Sequence, residues 1–307
     1  MTTFNWSTSE RINRLRKWQK RMKTRSLKHV KDLVPGKQGT VKVVREPLLK
    51  LDAVAKTTMF ETDEHRQAIS DWKKDKKGQV RPEGLIEPRV WQVLNGLVIR
   101  KKCPNFVLLY ETEIAEDFHK LITYSEVWDK TLWNLSEESA LGSTHFLSEN
   151  AWISIFFQIC AALQAMHQAG VQHQDLHANN VFIKALPRRN GYWTYIIKGK
   201  KYYCPNHGYM VAVSDYGRAF SKKLKTRSSF QTDVDDDLSS ATNEFYDLER
   251  IFNSIQHKTR KPEFFNDITF SSLERTAKRP ISHVLPRLFS MYTQKPSGPL
   301  LDTFRLG

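Results

Sequence analysis

An α+β fold, β-rich over its first 126 residues or so and mainly helical afterwards, is what the sequence predicts, on three observations. Apolar runs fall within residues 33–44, 106–110 and 121–126, the pattern of strands. Trp152, Ile155, Phe156, Ile159, Leu163 and Met166 recur at three- and four-residue steps, the stripe of a buried helix. Finally, Val171-Gln172-His173-Gln174-Asp175-Leu176-His177-Ala178-Asn179-Asn180-Val181-Phe182 and Val211-Ala212-Val213-Ser214-Asp215-Tyr216-Gly217 set polar turns against apolar β-runs.

Residues 1–31 read as a basic helix or arm in which Ile12, Leu15, Trp18 and Met22 share one face. Leu33 to Val44 reads as a glycine-containing turn running into a strand. Glu87-Pro88-Arg89-Val90-Trp91-Gln92-Val93-Leu94-Asn95 reads as a helix, since Pro88 is tolerated only in a first turn. Trp72 to Arg81 is Lys-rich and reads as an exposed loop. Phe106–Tyr110 and Leu121–Glu126 read as two strands. The central helix runs from Trp152 to Gln168, with Ser148 and Glu149 suited to its start and Gly170 to its stop. Alternating apolar residues around Lys198-Gly199 predict a β-hairpin near 190–210. Phe245 to Phe252 reads as a helix.

The spacing of the polar turns points to chemistry. Asp175 lies two residues after His173, Asn180 five after Asp175, and Asp215 follows at the end of an apolar run. Phosphoryl transfer needs a carboxylate to orient a hydroxyl and accept its proton, and oxygen ligands for a hard cation that keeps few protein ligands. Asp175 fits the first role; Asn180 and Asp215 fit the second. The pattern H-x-D-x-x-x-x-N followed by D-Y-G resembles the eukaryotic-type protein kinases. The long aromatic insert between the motifs, with Cys103-Pro104-Asn105-Phe106, resembles the serine/threonine kinases of large DNA viruses, the poxvirus virion kinase type among them.

That resemblance implies a bilobal protein-kinase-like fold: a basic arm over 1–31, a β-rich lobe over 32–126 and a mainly helical lobe over 127–307. It implies ATP and magnesium (or manganese) as cofactors, with His173 and Asp175 catalytic and Asn180 and Asp215 on the metal. Gly36 and Gly39 correspond to the second and third glycines of the phosphate loop, Val34 stands where the first belongs, and Val41 corresponds to the apolar residue over adenine. Lys50, at the end of Pro47-Leu48-Leu49-Lys50, is the first choice for the phosphate-binding lysine, and Lys56 is its rival. Glu87 is the expected acidic partner, with Glu83 and Glu64 as alternatives. Backbone around Glu126 to Trp128 is expected at the adenine, with Thr123 or Tyr124 at the back of the pocket. Asp247 corresponds to the carboxylate that ties down the catalytic loop. Gln174 replaces the usual arginine, His177 stands where a lysine is usual, and no A-P-E is present. H-x-D-L-H also resembles small-molecule phosphotransferases of the aminoglycoside and choline kinase type. A catalytically silent, basic binding protein is a third reading.

The formal net charge is +15; residues 1–31 hold ten Lys/Arg against Glu10 alone. Such an arm either packs its apolar stripe on the main domain or meets nucleic acid or an anionic surface, and an acidic protein substrate suits the overall charge. No transmembrane segment or secretory leader is expected, and Cys103, Cys160 and Cys204 suggest neither zinc nor disulfides. An intracellular, reducing location follows: host cytoplasm, nucleus or virion if the chain is viral.

Overall fold

The computed structural model describes residues 6–21, 26–33, 39–60, 66–67, 70, 85–115, 118–140, 147–187, 191–221, 223–224, 244–256 and 281–306. It is α+β, with a β-rich N-terminal region and most of its helices later in the chain.

Helix α1 (Thr8–Gln19) is capped by Ser7, whose Oγ accepts the Glu10 N–H at 3.2 Å. It is shorter than residues 1–31 suggest, because Lys28–Asp32 forms an edge strand, β1. Strands β2 (Gly39–Glu46), β3 (Leu51–Met59), β4 (Leu109–Ile114) and β5 (Lys120–Ser125) complete an antiparallel sheet in the order β1-β2-β3-β5-β4. Strand β4 begins three residues later than the apolar run Phe106–Tyr110. Phe106 instead bridges Val213, the Val107 N–H donates to the Val213 carbonyl, and the Val213 N–H donates to that of Asn105. The early part of the run thus ties the sheet to the segment before Asp215.

Helix α2 (Ile86–Ile99) carries Pro88 in its first turn and packs Val90, Trp91, Leu94 and Val98 inward. Strand β6 (Lys130–Thr131), helix α3 (Leu132–Ala140) and helix α4 (Glu149–Gln168) follow. Ser148 caps α4 through the Ala151 N–H, and Gly170 ends it at φ +74°, where a side chain would be strained. The expected one-sided stripe becomes a helix buried on every side from Ser154 to Met166. Three sets of contacts make it so. Phe156 stacks on Phe252 with centroids 4.9 Å apart. Phe157 lies among Tyr195, Tyr202, Phe289 and Tyr292 at 5.1–5.8 Å. Gln158 receives the Val211 N–H at 3.0 Å and donates to the Tyr209 carbonyl at 3.1 Å.

Strands β7 (Val181–Ala185) and β10 (Tyr209–Val213) pair antiparallel, with β6 on the far side of β7. Between them, β8 (Tyr192–Ile197) and β9 (Lys200–Pro205) form a hairpin through Lys198-Gly199. Strand β11 (Leu300–Leu306) joins β8 in parallel, an addition that the sequence reading does not anticipate. Its inward residues Phe304 and Leu306 alternate with Thr303 and Arg305. Helices α5 (Glu244–Gln256) and α6 (Ile281–Leu288) complete the described elements. Among the described residues no helix is long and apolar enough to cross a membrane. Cys103, Cys160 and Cys204 are buried free thiols, each pushed up to about 12 by burial.

Candidate active site

The site forms where α4 delivers the chain into the His173–Asn180 turn. Gln172 exchanges both backbone hydrogen bonds with Phe220 at 2.9 Å. The His173 ring is fully buried, with Nε2 3.0 Å from the Ser214 carbonyl. A carbonyl only accepts, so Nε2 carries the proton and Nδ1 accepts from the Asp175 N–H at 3.4 Å. Gln174 takes a left-handed conformation, φ +63°. Asp247 of α5 braces this turn: its two oxygens accept the His173 and Gln174 N–H groups at 2.8 and 2.7 Å. Burial works against a charge on Asp247, yet the bond from His167, the nearby His173 and the backbone N–H groups outweigh it. Its carboxyl is held below the ordinary value.

Asn180 closes the turn by donating from Nδ2 to the Asp175 carbonyl at 2.9 Å, which leaves Oδ1 as its acceptor atom. The Ser214 N–H donates to the Asn180 carbonyl at 3.0 Å, joining this turn to the one that holds Asp215. His177 lies 3.3 Å from Asn180 Nδ2 and is pushed towards its neutral form, chiefly by burial, against the pull of Asp175. Oδ1 of Asp175 meets the Arg250 guanidinium at 2.8 Å; Arg218 Nε is 3.9 Å from Oδ2.

Asp215, at φ +65°, turns back towards the antiparallel sheet. Its Oδ1 lies 3.4 Å from Lys56 Nζ, which also holds both Glu87 oxygens at 3.0 and 3.2 Å. Burial disfavours the charge on Lys56, but Glu87 and Asp215 more than offset it and raise its pKa. Burial likewise works against Asp215, and Lys56 and the nearby histidines outweigh it, so Asp215 sits below the ordinary carboxylate value. For Glu87 burial wins and the carboxyl is raised, with Lys56 opposing. Val41, Lys56 and Thr123 are directly paired across β2, β3 and β5 and therefore share one face of the sheet. Tyr124 points to the other face, where Trp18 of α1 lies 5.6 Å away. Of the two residues considered for the back of the pocket, Thr123 is the one on the Lys56 side.

Other expected residues are placed differently. Lys50 is not brought to the site. The run Pro47–Lys50 is the β2–β3 turn, in which buried Glu46 accepts the Leu49 N–H at 2.5 Å and Lys50 adopts φ +51°, exposed. Lys56, five residues into β3, occupies the place expected of Lys50. Glu126 is fully buried, but its side chain is bound to Arg11 and its N–H to the Leu108 carbonyl at 2.9 Å. Gly39 lies on β2 against Thr57; a Cβ there would meet the Thr57 carbonyl oxygen at 1.7 Å, so close strand approach alone demands glycine. Val34 and Gly36 lie outside the described residues, as do Met22, residues 72–81, Glu83 and Glu64. Two contributors are not anticipated from sequence. Arg250 was legible only as one turn beyond Asp247, and Arg11 read as one more charge in a basic arm.

Parts of the chain are similar in sequence to proteins named as protein kinases. "Probable serine/threonine-protein kinase 380R" of Invertebrate iridescent virus 6 is 29% identical over 150 residues, which is 45% of this chain and 28% of that protein. A Frog virus 3 protein, 019R, whose name also carries the words serine/threonine-protein kinase, is 35% identical over 74 residues, 23% of this chain and 9% of that protein. The mouse MAPK/MAK/MRK overlapping kinase is 28% identical over 81 residues, 26% of this chain and 18% of that protein. The chain therefore spans less than a third of the length of these relatives. No protein-family model matches it. The chain is similar to protein kinases, viral serine/threonine kinases among them.

Proposed function

We propose that this chain is an ATP-dependent serine/threonine protein kinase, with a bilobal fold in which the β1–β5 sheet and the region of α4 and α5 form the two lobes. The observation that carries the reading is the convergence of Lys56, Glu87 and Asp215, from far-apart stretches of sequence, beside the Asp175–Asn180 turn. The long β8–β9 insert supports a place beside the kinases of large DNA viruses, the poxvirus virion kinase type being its finer form.

In this reading Lys56, fixed by Glu87, meets the nucleotide phosphates, and Val41 and Thr123, on the same face of the sheet, line the adenine side. Asp215 and Oδ1 of Asn180 are the groups that would hold magnesium or manganese. An anionic carboxylate and an amide oxygen are the hard donors that such an ion takes, and it needs few of them from protein. Bound there, the ion would neutralise charge on the β- and γ-phosphates. Asp175 orients the acceptor hydroxyl. The hydroxyl oxygen forms the new P–O bond as the bond to the β-phosphate oxygen breaks, Asp175 takes the hydroxyl proton, and ADP leaves. His173 holds the backbone of the turn rather than touching the reactants, since its ring is spent on Ser214 and Asp175. The buried free thiols support a reducing intracellular location, and the net charge of +15 supports acidic protein substrates.

The experiment is transfer of labelled γ-phosphate from ATP with magnesium to casein, a basic protein, the chain itself and a panel of small alcohols. Label on protein that disappears in Asp175→Asn supports the reading. Label on a small alcohol alone would turn it towards small-molecule phosphotransfer, and ATP binding without transfer to anything would sink it.

A further inference from the structure

We propose that Arg250 is the positioning residue of the candidate base: it grips Oδ1 of Asp175 and so presents Oδ2 to the acceptor hydroxyl. The inference rests on the phosphotransferase reading and deepens it.

A carboxylate on a turn can rotate, and a base must face its proton donor within hydrogen-bond reach. Two of the three groups that fix the turn act on backbone: Asp247 on the N–H groups of His173 and Gln174, and Asn180 on the Asp175 carbonyl. Neither restrains the Asp175 side chain. Arg250 does, with Nη2 2.8 Å from Oδ1. It lies one helical turn after Asp247 on α5, so the element that braces the loop also orients its carboxylate. The guanidinium is itself held: Nη1 donates to the Tyr246 hydroxyl at 3.1 Å, and the group lies 5.7 Å from the centroid of that ring. Among the described residues, Asp175 Oδ2 has a long 3.9 Å contact with Arg218 and no closer partner, which leaves that oxygen room for a hydroxyl.

Orientation and blockage predict opposite outcomes on removal. The test compares wild type, Arg250→Met, Arg250→Lys, Asp175→Asn and the double variant Arg250→Met/Asp175→Asn in the full chain. Arg45→Met, in the solvent-facing pair with Asp52, is the control. For Arg250→Met the expected result is a fall in kcat of about 100-fold, the low end of what a positioned base contributes. KM for ATP should stay within about twofold, because uniform binding is untouched. Arg250→Lys should recover about a tenth or more of the wild-type rate, and the double variant should be no slower than Asp175→Asn, since residues acting as a unit are not additive. Thermal unfolding of Arg250→Met near the wild-type temperature separates this from misfolding. An unchanged or increased kcat in Arg250→Met would overturn the proposal, the increase meaning that Arg250 blocks the site. Losses that multiply in the double variant would overturn it as well. If the wild type transfers phosphate to nothing, the phosphotransferase reading itself falls and this proposal with it. If only the Arg250 variants behave like wild type, the reading stands without it.

Discussion

Two ion-pair networks, both joining distant parts of the chain, are built for opposite ends. At the end of β5, Arg11 and Glu126 are both wholly buried, 0% exposed on each side chain. Arg11 grips the carboxylate side-on through Nε and Nη2 at 2.9 and 3.0 Å and also donates to the Pro104 and Phe106 carbonyls. Glu126 accepts further from the Leu108 N–H and from Trp128. Both carboxylate oxygens and all three guanidinium nitrogens there have partners within the chain. Lys56 sits 32% exposed between Glu87 at 11% and Asp215 at 50%, its contacts spread over 3.0–3.4 Å. One ammonium divided between two carboxylates, in reach of solvent, is an incomplete set. Completeness and burial, rather than the presence of charge, separate a structural clamp from a site.

The largest expected effect lies on the clamp. Arg11→Met leaves Glu126 buried without its partner, and breaking such a pair costs about 3–5 kcal/mol. Urea unfolding should show the loss, and Arg11→Met with Glu126→Leu should recover much of it. If Arg11→Met unfolds like wild type, the clamp is not structural and the contrast fails. Lys56→Met should do the reverse. Its stability change should stay below about 1 kcal/mol, as for solvated pairs. Phosphate transfer should fall on the order of 10²–10³-fold, the usual loss on removing one electrostatic stabiliser. A large loss of stability with transfer retained would make Lys56 a structural residue like Arg11.

Asp247 stands between the two, being buried like the clamp but bracing the site. Its carboxyl is lower in the folded chain than its ordinary value of 3.8. The unfolded state therefore takes up the proton first as pH falls, so this stabilisation is whole at neutral pH and is lost below about pH 4 as the folded value is approached. Asp247→Asn, which replaces one of the two accepting oxygens by an amide donor and so leaves one of the two backbone N–H groups without its acceptor, should cost about 1–3 kcal/mol at pH 7. In unfolding series at pH 7 and pH 3 the gap between wild type and variant should narrow at the lower pH. A gap that widens would contradict the sign.

How far the sequence reveals these networks depends on how local their determinants are. Asp175, Asn180 and Asp215 are legible because each sits at a fixed spacing within one turn. The helix Glu149–Gln168 is legible because its period and caps are local. Glu87 could be reached by the order of elements. Lys56 was second choice because Pro47-Leu48-Leu49 imitates a strand end. The alternation of buried Leu51, Ala53 and Ala55, which puts Lys56 on the opposite face, carries the better signal. Arg11 was out of reach: among ten basic residues, nothing local marks it for pairing with Glu126, 115 positions away. The one-sided packing reading of residues 1–31 holds for Ile12, Leu15 and Trp18, which α1 buries.

Salt offers the smallest and sharpest separation. At about 0.1 M ionic strength, screening acts over about 10 Å of solvent, and at 1 M over about 3 Å. The Lys56–Glu87 contact has solvent on one side and the Arg11–Glu126 contact has none. A double-mutant cycle isolates each coupling from the separate costs of its two residues. The Lys56→Met/Glu87→Gln coupling should be under about 1 kcal/mol and shrink further when salt is raised from 0.1 to 1 M. The Arg11→Met/Glu126→Leu coupling should be several times larger and hold its size, because added ions cannot enter the space between the two groups. Equal salt sensitivity in the two cycles would mean that water reaches Glu126 in solution. The division between clamp and site would then rest on the partners each charge finds and not on its burial.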